Sequence, residues 1–285
     1  MLNLDALMGW RFEPLEARLT ARDAMLYALS LGYGADPLDE EELRFVFEQD
    51  LKVVPSFASV VAHPSGWLKD PRVGATWTKV VHGEQNIEFH APLPATGTIR
   101  GQGRILGVSD KGAEKGATIL FGNTLVHVET GQEIATITRT SFCRADGGGG
   151  SGGQQVAERK AMPDRAPDHI VPITTLPGQA LLYRLNGDYN PLHASPAAAA
   201  RAGFERPILH GLCTYGIACR AILAATCANE VERLAFLGAR FTAPVFPGDM
   251  IETVIWQDGN ELAFEARVPA RGKTVLGGGI ARIRP

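Results

Sequence analysis

A chain of 285 residues with 45% hydrophobic and 21% charged side chains has enough apolar surface for one large core or two modest ones, which excludes a disordered or fibrous protein. A formal net charge of -3, an aromatic share of 7% and the lack of any basic run exclude the electrostatic footprint of a nucleic-acid binder. No apolar stretch reaches the roughly eighteen residues of a membrane span. Cys143, Cys213, Cys219 and Cys227 form no C-x-x-C pair and read as reduced, packed thiols. The start MLNLDALMGW lacks a secretory n-region and the end lacks Ser-Lys-Leu, so the cytoplasm is the expected compartment.

The first elements expected are helices over about Ala21 to Leu31 and Val53 to Ala62. Strands follow over Asn86 to Phe89, Thr98 to Ser109, Ala117 to Glu129 and Glu133 to Arg144, rich in β-branched residues and bounded by turn signals. The run DGGGGSGGQQ, Asp146 to Gln155, has little side chain to pack and reads as a flexible, exposed connector without chemistry. A polar, proline-spaced tract extends it to Asp168, dividing the chain into units 1–145 and 169–285 around a linker, 146–168. In the second unit Ser195-Pro196-Ala197 sets a cap residue, a first-turn proline and an alanine run, and Gly203 stops the helix. Gly211 to Ala228 is apolar nearly all round, as a buried helix is. Leu234 to Phe241, Met250 to Gln257, Glu261 to Val268 and Thr274 to Ile283 are the expected strands.

The two units repeat each other. Phe89-x-Ala91-Pro92 matches Phe241-x-Ala243-Pro244, and Tyr27-x-Leu29 followed by Asp36-Pro37-Leu38-Asp39 matches Tyr183-x-Leu185 followed by Asn190-Pro191-Leu192-His193. Each unit packs most economically as one long helix wrapped by a curved antiparallel sheet, and two such units pair edge to edge.

Chemistry concentrates in Asp188-x-Asn190-x-x-His193. Gly187 and Pro191 put Asp188 in a turn, and a carboxylate and an imidazole shown from one turn can flank a single water. The same residues also suit a plain Asx turn leading into a helix. The second His-Gly, His210-Gly211, argues for chemistry, because Gly211 opens the buried helix where free N–H groups stabilise a developing oxyanion. An acid, a base and an oxyanion site are what hydration of an enoyl thioester needs. Gly101-x-Gly103-x-x-x-Gly107 opens no helix and is no nucleotide loop. His63, His82, His90 and His127 are too dispersed for a metal site, and none is expected.

The run Tyr183-Arg184-Leu185-Asn186-Gly187-Asp188-Tyr189-Asn190-Pro191-Leu192-His193, with Pro207-Ile208-Leu209-His210-Gly211-Leu212, resembles the hydratase 2 motif of MaoC-like (R)-specific enoyl-CoA hydratases. The whole chain resembles the two-unit form of that family, as in the hydratase 2 domain of peroxisomal multifunctional enzyme type 2. That resemblance implies an α+β double hot-dog fold and hydration of trans-2-enoyl-CoA to (3R)-3-hydroxyacyl-CoA. It implies that Asp188 and His193 exchange the water's protons, that Asn190 orients the site and that Gly211 N–H binds the thioester oxygen. Tyr183, Gly187, His210 and Leu212 fall at substrate-contacting places of the motif. No cofactor is implied, coenzyme A being part of the acyl-CoA substrate, and a homodimer is expected. The first unit has Asp39 where the second has His193 and nothing matching Asp188, so one active site per chain is expected, the first unit being left to accommodate the acyl chain. Arg201, Arg206, Arg271 and Lys273 could meet coenzyme A phosphates, although solvated charge explains them as well. A dehydratase acting on acyl-carrier protein and a non-hydratase hot-dog thioesterase or binding protein are the competing readings.

Overall fold

A computed structural model describes residues 1–159 and 161–285. Among the described residues one antiparallel sheet runs through the whole molecule. Its strands are β1 (Leu15–Leu19), β2 (Val80–Phe89), β3 (Gly97–Asp110), β4 (Ala117–His127), β5 (Glu133–Cys143), the two-residue β6 (Gly152–Gly153), β7 (His169–Thr174), β8 (Leu234–Phe241), β9 (Met250–Asp258), β10 (Glu261–Val268) and β11 (Lys273–Ile283). They lie in the order β1-β3-β4-β5-β2-β8-β11-β10-β9-β7, with β6 against β3. The path β1-β3-β4-β5-β2 repeats outward from the other side of the β2–β8 seam as β8-β11-β10-β9-β7, so the sequence repeat is a structural one.

Five antiparallel pairs, Glu84↔Arg240 through Glu88↔Phe236, close the seam and remove two sheet edges. Glu84 is buried there, accepting from Arg240 Nε at 2.6 Å and from Arg159 Nε and Nη2 at 3.2 and 3.1 Å.

The helices are α1 (Leu4–Met8), α2 (Ala21–Ser30), α3 (Glu40–Leu43), α4 (Gln179–Tyr183), α5 (Pro196–Arg201) and α6 (Gly211–Cys227). Thr20 and Asp23 form a capping box on α2, and Ser195 Oγ caps α5 through Ala198 N–H. Helix α6 buries eleven of its seventeen residues, including Cys213, Cys219 and Cys227. It lies against both units: a Cβ added at Gly216 would stand 2.6 Å from Leu31 Cδ2 and 3.1 Å from Tyr27 Oη, an approach only glycine permits.

Two expectations need correction. No helix spans Val53 to Ala62; a single 3-10 turn, Pro55–Ser59, stands there, Ala62 turns to φ +44° and Pro64 follows. Proline and a left-handed residue leave no room for a second turn, so only the second unit keeps a long central helix. The glycine run is not a free connector either. Asp146 is buried and accepts from Thr76 N and Oγ1 at 2.9 and 2.7 Å, and Asp110 accepts from Gly148 and Gly150 N–H, each at 2.9 Å. A Cβ at Gly147 or Gly149 would strike Gly112 O or Leu2 O within 2.4 Å, so these glycines serve close packing. Position 160 of the expected linker lies outside the described residues.

Strands β1 and β7, absent from the sequence reading, are the two edges of the sheet. Pro172 sits in β7 without loss because an edge strand leaves N–H positions unpaired.

Candidate active site

The segment after α4 turns three times in quick succession. A 3-10 turn, Arg184–Asn186, ends at Gly187 with φ +110°, and Asp188 and Tyr189 lead into a second one, Pro191–His193. Asp188 Oδ1 accepts from Asn190 N–H at 3.1 Å, and Asn190 Oδ1 in turn accepts from Leu192 N–H at 3.1 Å. Asn190 therefore caps the turn that carries His193, and Asp188 holds the residue before it. The turn is tied to the first unit by Asn186 Nδ2, which donates to Ser30 Oγ at 3.0 Å and to Tyr183 O at 2.9 Å.

His193 is buried, and its Nδ1 lies 2.8 Å from the carbonyl of Ile208. A carbonyl only accepts, so Nδ1 carries the proton and Nε2 is left as the basic atom. His210 stands at the N-cap position of α6 but its ring turns away from the helix, Nε2 donating to Asp188 O at 3.1 Å, and it stacks on His193 with centroids 3.7 Å apart. Tyr183 packs on the far side of His210, 4.9 Å away, and on Tyr27 of α2, 6.0 Å away. Burial pushes His193 below the usual imidazole range against the opposing pull of Ile208 O and Asp188. Burial and then the neighbouring His193 bring His210 down to about 4.

Of the expected substrate contacts, Tyr183 and His210 are each about 1% exposed and stand behind His193, bracing it instead of lining an open surface. Gly187 and Gly211 are exposed, and Leu212 is half-buried against the core. Gly211 is the first residue of α6, whose N-terminus has no side-chain cap, and a Cβ there would lie 3.1 Å from the Phe241 ring. Asp188, His193 and His210 each offer a ligand atom within 4.8 Å of the others. The two rings are inclined by only 26°, so their in-plane lone pairs run side by side and converge poorly on one ion.

In the first unit Asp39, matched to His193, caps α3 by accepting from Glu41 and Glu42 N–H, a structural task. His63 and His82 are not dispersed as expected. Both lie by Arg139 of β5, whose charge presses each of them further down after burial has lowered it. No local motif marks these residues; strand register places His82 by Arg139, and the loop after the Pro55–Ser59 turn brings in His63.

A helix wrapped by one half of a doubled antiparallel sheet, with an acid and a base at its mouth, is the architecture of a double hot-dog of the MaoC-like kind. The family models described as "MaoC like domain" and "MFE-2 hydratase 2 N-terminal domain" match residues 158–278 and 18–145. The chain is 37% identical over 284 residues to "Enoyl-CoA hydratase ChsH3" of Mycobacterium tuberculosis, covering 98% of both chains. It is 36% identical to "Enoyl-CoA hydratase 2, peroxisomal" of Arabidopsis thaliana, covering 97% of this chain and 94% of that one. The crystal structure of a MaoC-like dehydratase from Phytophthora capsici superposes with a TM-score of 0.87 at 30% identity, covering 98% of both chains. A further Mycobacterium tuberculosis protein, described as a double hot-dog, shares the fold at 14% identity with a TM-score of 0.56. The chain belongs to the MaoC-like hydratase 2 family.

Proposed function

We propose that this protein adds water to trans-2-enoyl-CoA to give (3R)-3-hydroxyacyl-CoA, and catalyses the reverse dehydration, in fatty acid metabolism. The observation that carries the reading is the placement of Asp188 and of His193, with its unprotonated Nε2, beside the uncapped N-terminus of α6.

In the forward direction the pair takes one proton from a bound water as its oxygen bonds to C3. The C2=C3 π electrons move toward the thioester oxygen, which Gly211 N–H and the positive end of α6 stabilise. The proton returns to C2, so water is the only co-reactant and no redox or metal cofactor takes part; coenzyme A arrives with the substrate. A neutral His193 near pH 7 suits a base that must accept a proton and give it back. Tyr183 and His210 fix the ring from behind, and Asn190 fixes the turn.

The test is loss of the conjugated-enoyl absorbance when the protein meets trans-2-enoyl-CoA, with the product assigned by a (3R)-specific dehydrogenase. Release of free coenzyme A, or a (3S) product, would contradict the reading; EDTA is expected to leave the rate unchanged. The reading extends to a cytoplasmic homodimer, open to test by cell fractionation and sedimentation. Among the described residues no helix is long and apolar enough to cross a membrane.

A further inference from the structure

The two stacked imidazoles are one end of a longer column of rings. From His193 it runs through His210, Tyr183 and Tyr27 to Phe57, with successive centroids 3.7, 4.9, 6.0 and 4.8 Å apart. The first three rings belong to the second unit, and Tyr27 on α2 and Phe57 in the Pro55–Ser59 turn belong to the first. All five are buried, so no water layer cushions one ring from the next.

Hydrogen bonds anchor the column unevenly. His193 is held by its one bond to Ile208 O, which leaves the ring free to rock about that bond. His210 bonds only to Asp188 O, on the very turn that carries His193, so the pair alone could move as one body. Tyr183 Oη is buried without a hydrogen-bond partner among the described residues, and its ring is therefore held by packing. The first ring fixed from outside the catalytic turn is Tyr27, whose Oη donates to Ser56 Oγ at 3.0 Å and whose face meets Phe57 at an inclination of 31°. Helix α2 is itself tied to the second unit: Ser30 Oγ donates to Tyr27 O at 2.6 Å, and Gln179 Nε2 donates to Ser30 O at 2.6 Å. A close-packed interior passes a displacement on to its neighbours instead of absorbing it.

We propose that Tyr27 and Phe57 are positioning residues of the hydratase reaction, through which the unit that holds no proton-transfer pair sets the plane of the His193 ring. The inference rests on the reading of the site given above. It gives the first unit a part in the chemistry without a reacting group of its own.

The experiment compares steady-state rates on an enoyl-CoA for wild type, Phe57→Leu, Tyr27→Leu, Tyr27→Phe and Phe45→Leu, each checked by thermal melting and assayed well below its Tm. Phe45 is the control, a fully buried first-unit ring that stacks on Tyr33 and lies off the column. Phe57→Leu and Tyr27→Leu should lower kcat by about tenfold with KM moving less than about twofold, because the water is bound but poorly aligned with its base. Tyr27→Phe keeps the ring and should recover most of that loss, and Phe45→Leu should turn over as wild type does. Equal losses in Phe45→Leu, or a Tyr27→Phe variant as slow as Tyr27→Leu, would overturn the proposal.

Proton spectra of the His193 ring, assigned with His193→Ala, give a readout without turnover. Phe57 stands four ring contacts from His193, too far for its own ring current to act there. A His193 signal displaced in Phe57→Leu and unmoved in Phe45→Leu shows transmission along the column, and a signal unmoved in both contradicts it. An inactive wild type with the displaced signal would instead count against the hydratase reading alone.

Discussion

The imidazole rings of His193 and His210 stack with centroids 3.7 Å apart and planes inclined by 26°. Two imidazolium ions cannot share that stack without strong repulsion, and burial disfavours even one, so the site is built around neutral histidine. The folded pKa of both lies below the unfolded value, His210 at about 4. The unfolded chain then binds protons first: stability is full above about pH 6.5 and falls as pH drops toward 4. His210 alone accounts for a loss on the order of 3 kcal/mol at the acid end. Thermal melts from pH 7.5 to 4.5 should show Tm falling, and His210→Phe should flatten part of that fall.

Asn186 ties the catalytic turn to Ser30 of the first unit. Asn186→Ala removes that hydrogen bond and the one to Tyr183 O, so a stability loss of about 1 kcal/mol is expected, with a fall in kcat larger than any change in KM. Urea denaturation and steady-state rates check both.

Gly211 leaves 3.1 Å between an added Cβ and the Phe241 ring. Gly211→Ala keeps the N–H but pushes the helix mouth off the ring, and kcat/KM should drop by about tenfold to a hundredfold. Phe241→Leu in the same chain should return part of the loss, which a double-mutant cycle would read directly.

Glu84 is the buried anion between Arg159 and Arg240 at the seam. Glu84→Gln leaves two cations facing each other. A loss of roughly 3 kcal/mol is expected, moderated because Arg240 is 45% exposed. Calorimetry on the purified variant gives the number.

The repeat was legible because its residues face one another: Tyr27 and Tyr183, matched by sequence, meet with ring centroids 6.0 Å apart. Strands β8 and β10 fall within the expected limits, since turn glycines and prolines bound them. The helix expected at Val53 to Ala62 failed because the repeat outweighed Pro55 and Pro64, the local signals against it. Composition reads DGGGGSGGQQ as loose, whereas its tightness depends on backbone partners such as Leu2 and Gly112 that lie far off in sequence. Asp188, Asn190 and His193 share one short motif and could be found locally. Arg139, His63 and Gln85 meet only through sheet register and the loop after the Pro55–Ser59 turn, and nothing in their own neighbourhoods marks them.

The most direct test of the proton-transfer pair is the hydration rate of trans-2-enoyl-CoA by Asp188→Asn and His193→Ala, with Phe substituted at the exposed Leu38 as a remote control. At pH 7.5 Asp188→Asn should melt near the wild-type temperature and His193→Ala below it but still folded, because the buried ring and its bond to Ile208 O are lost; each should lose about a thousandfold in kcat, the control losing nothing. Wild-type turnover in either folded site variant would contradict the account.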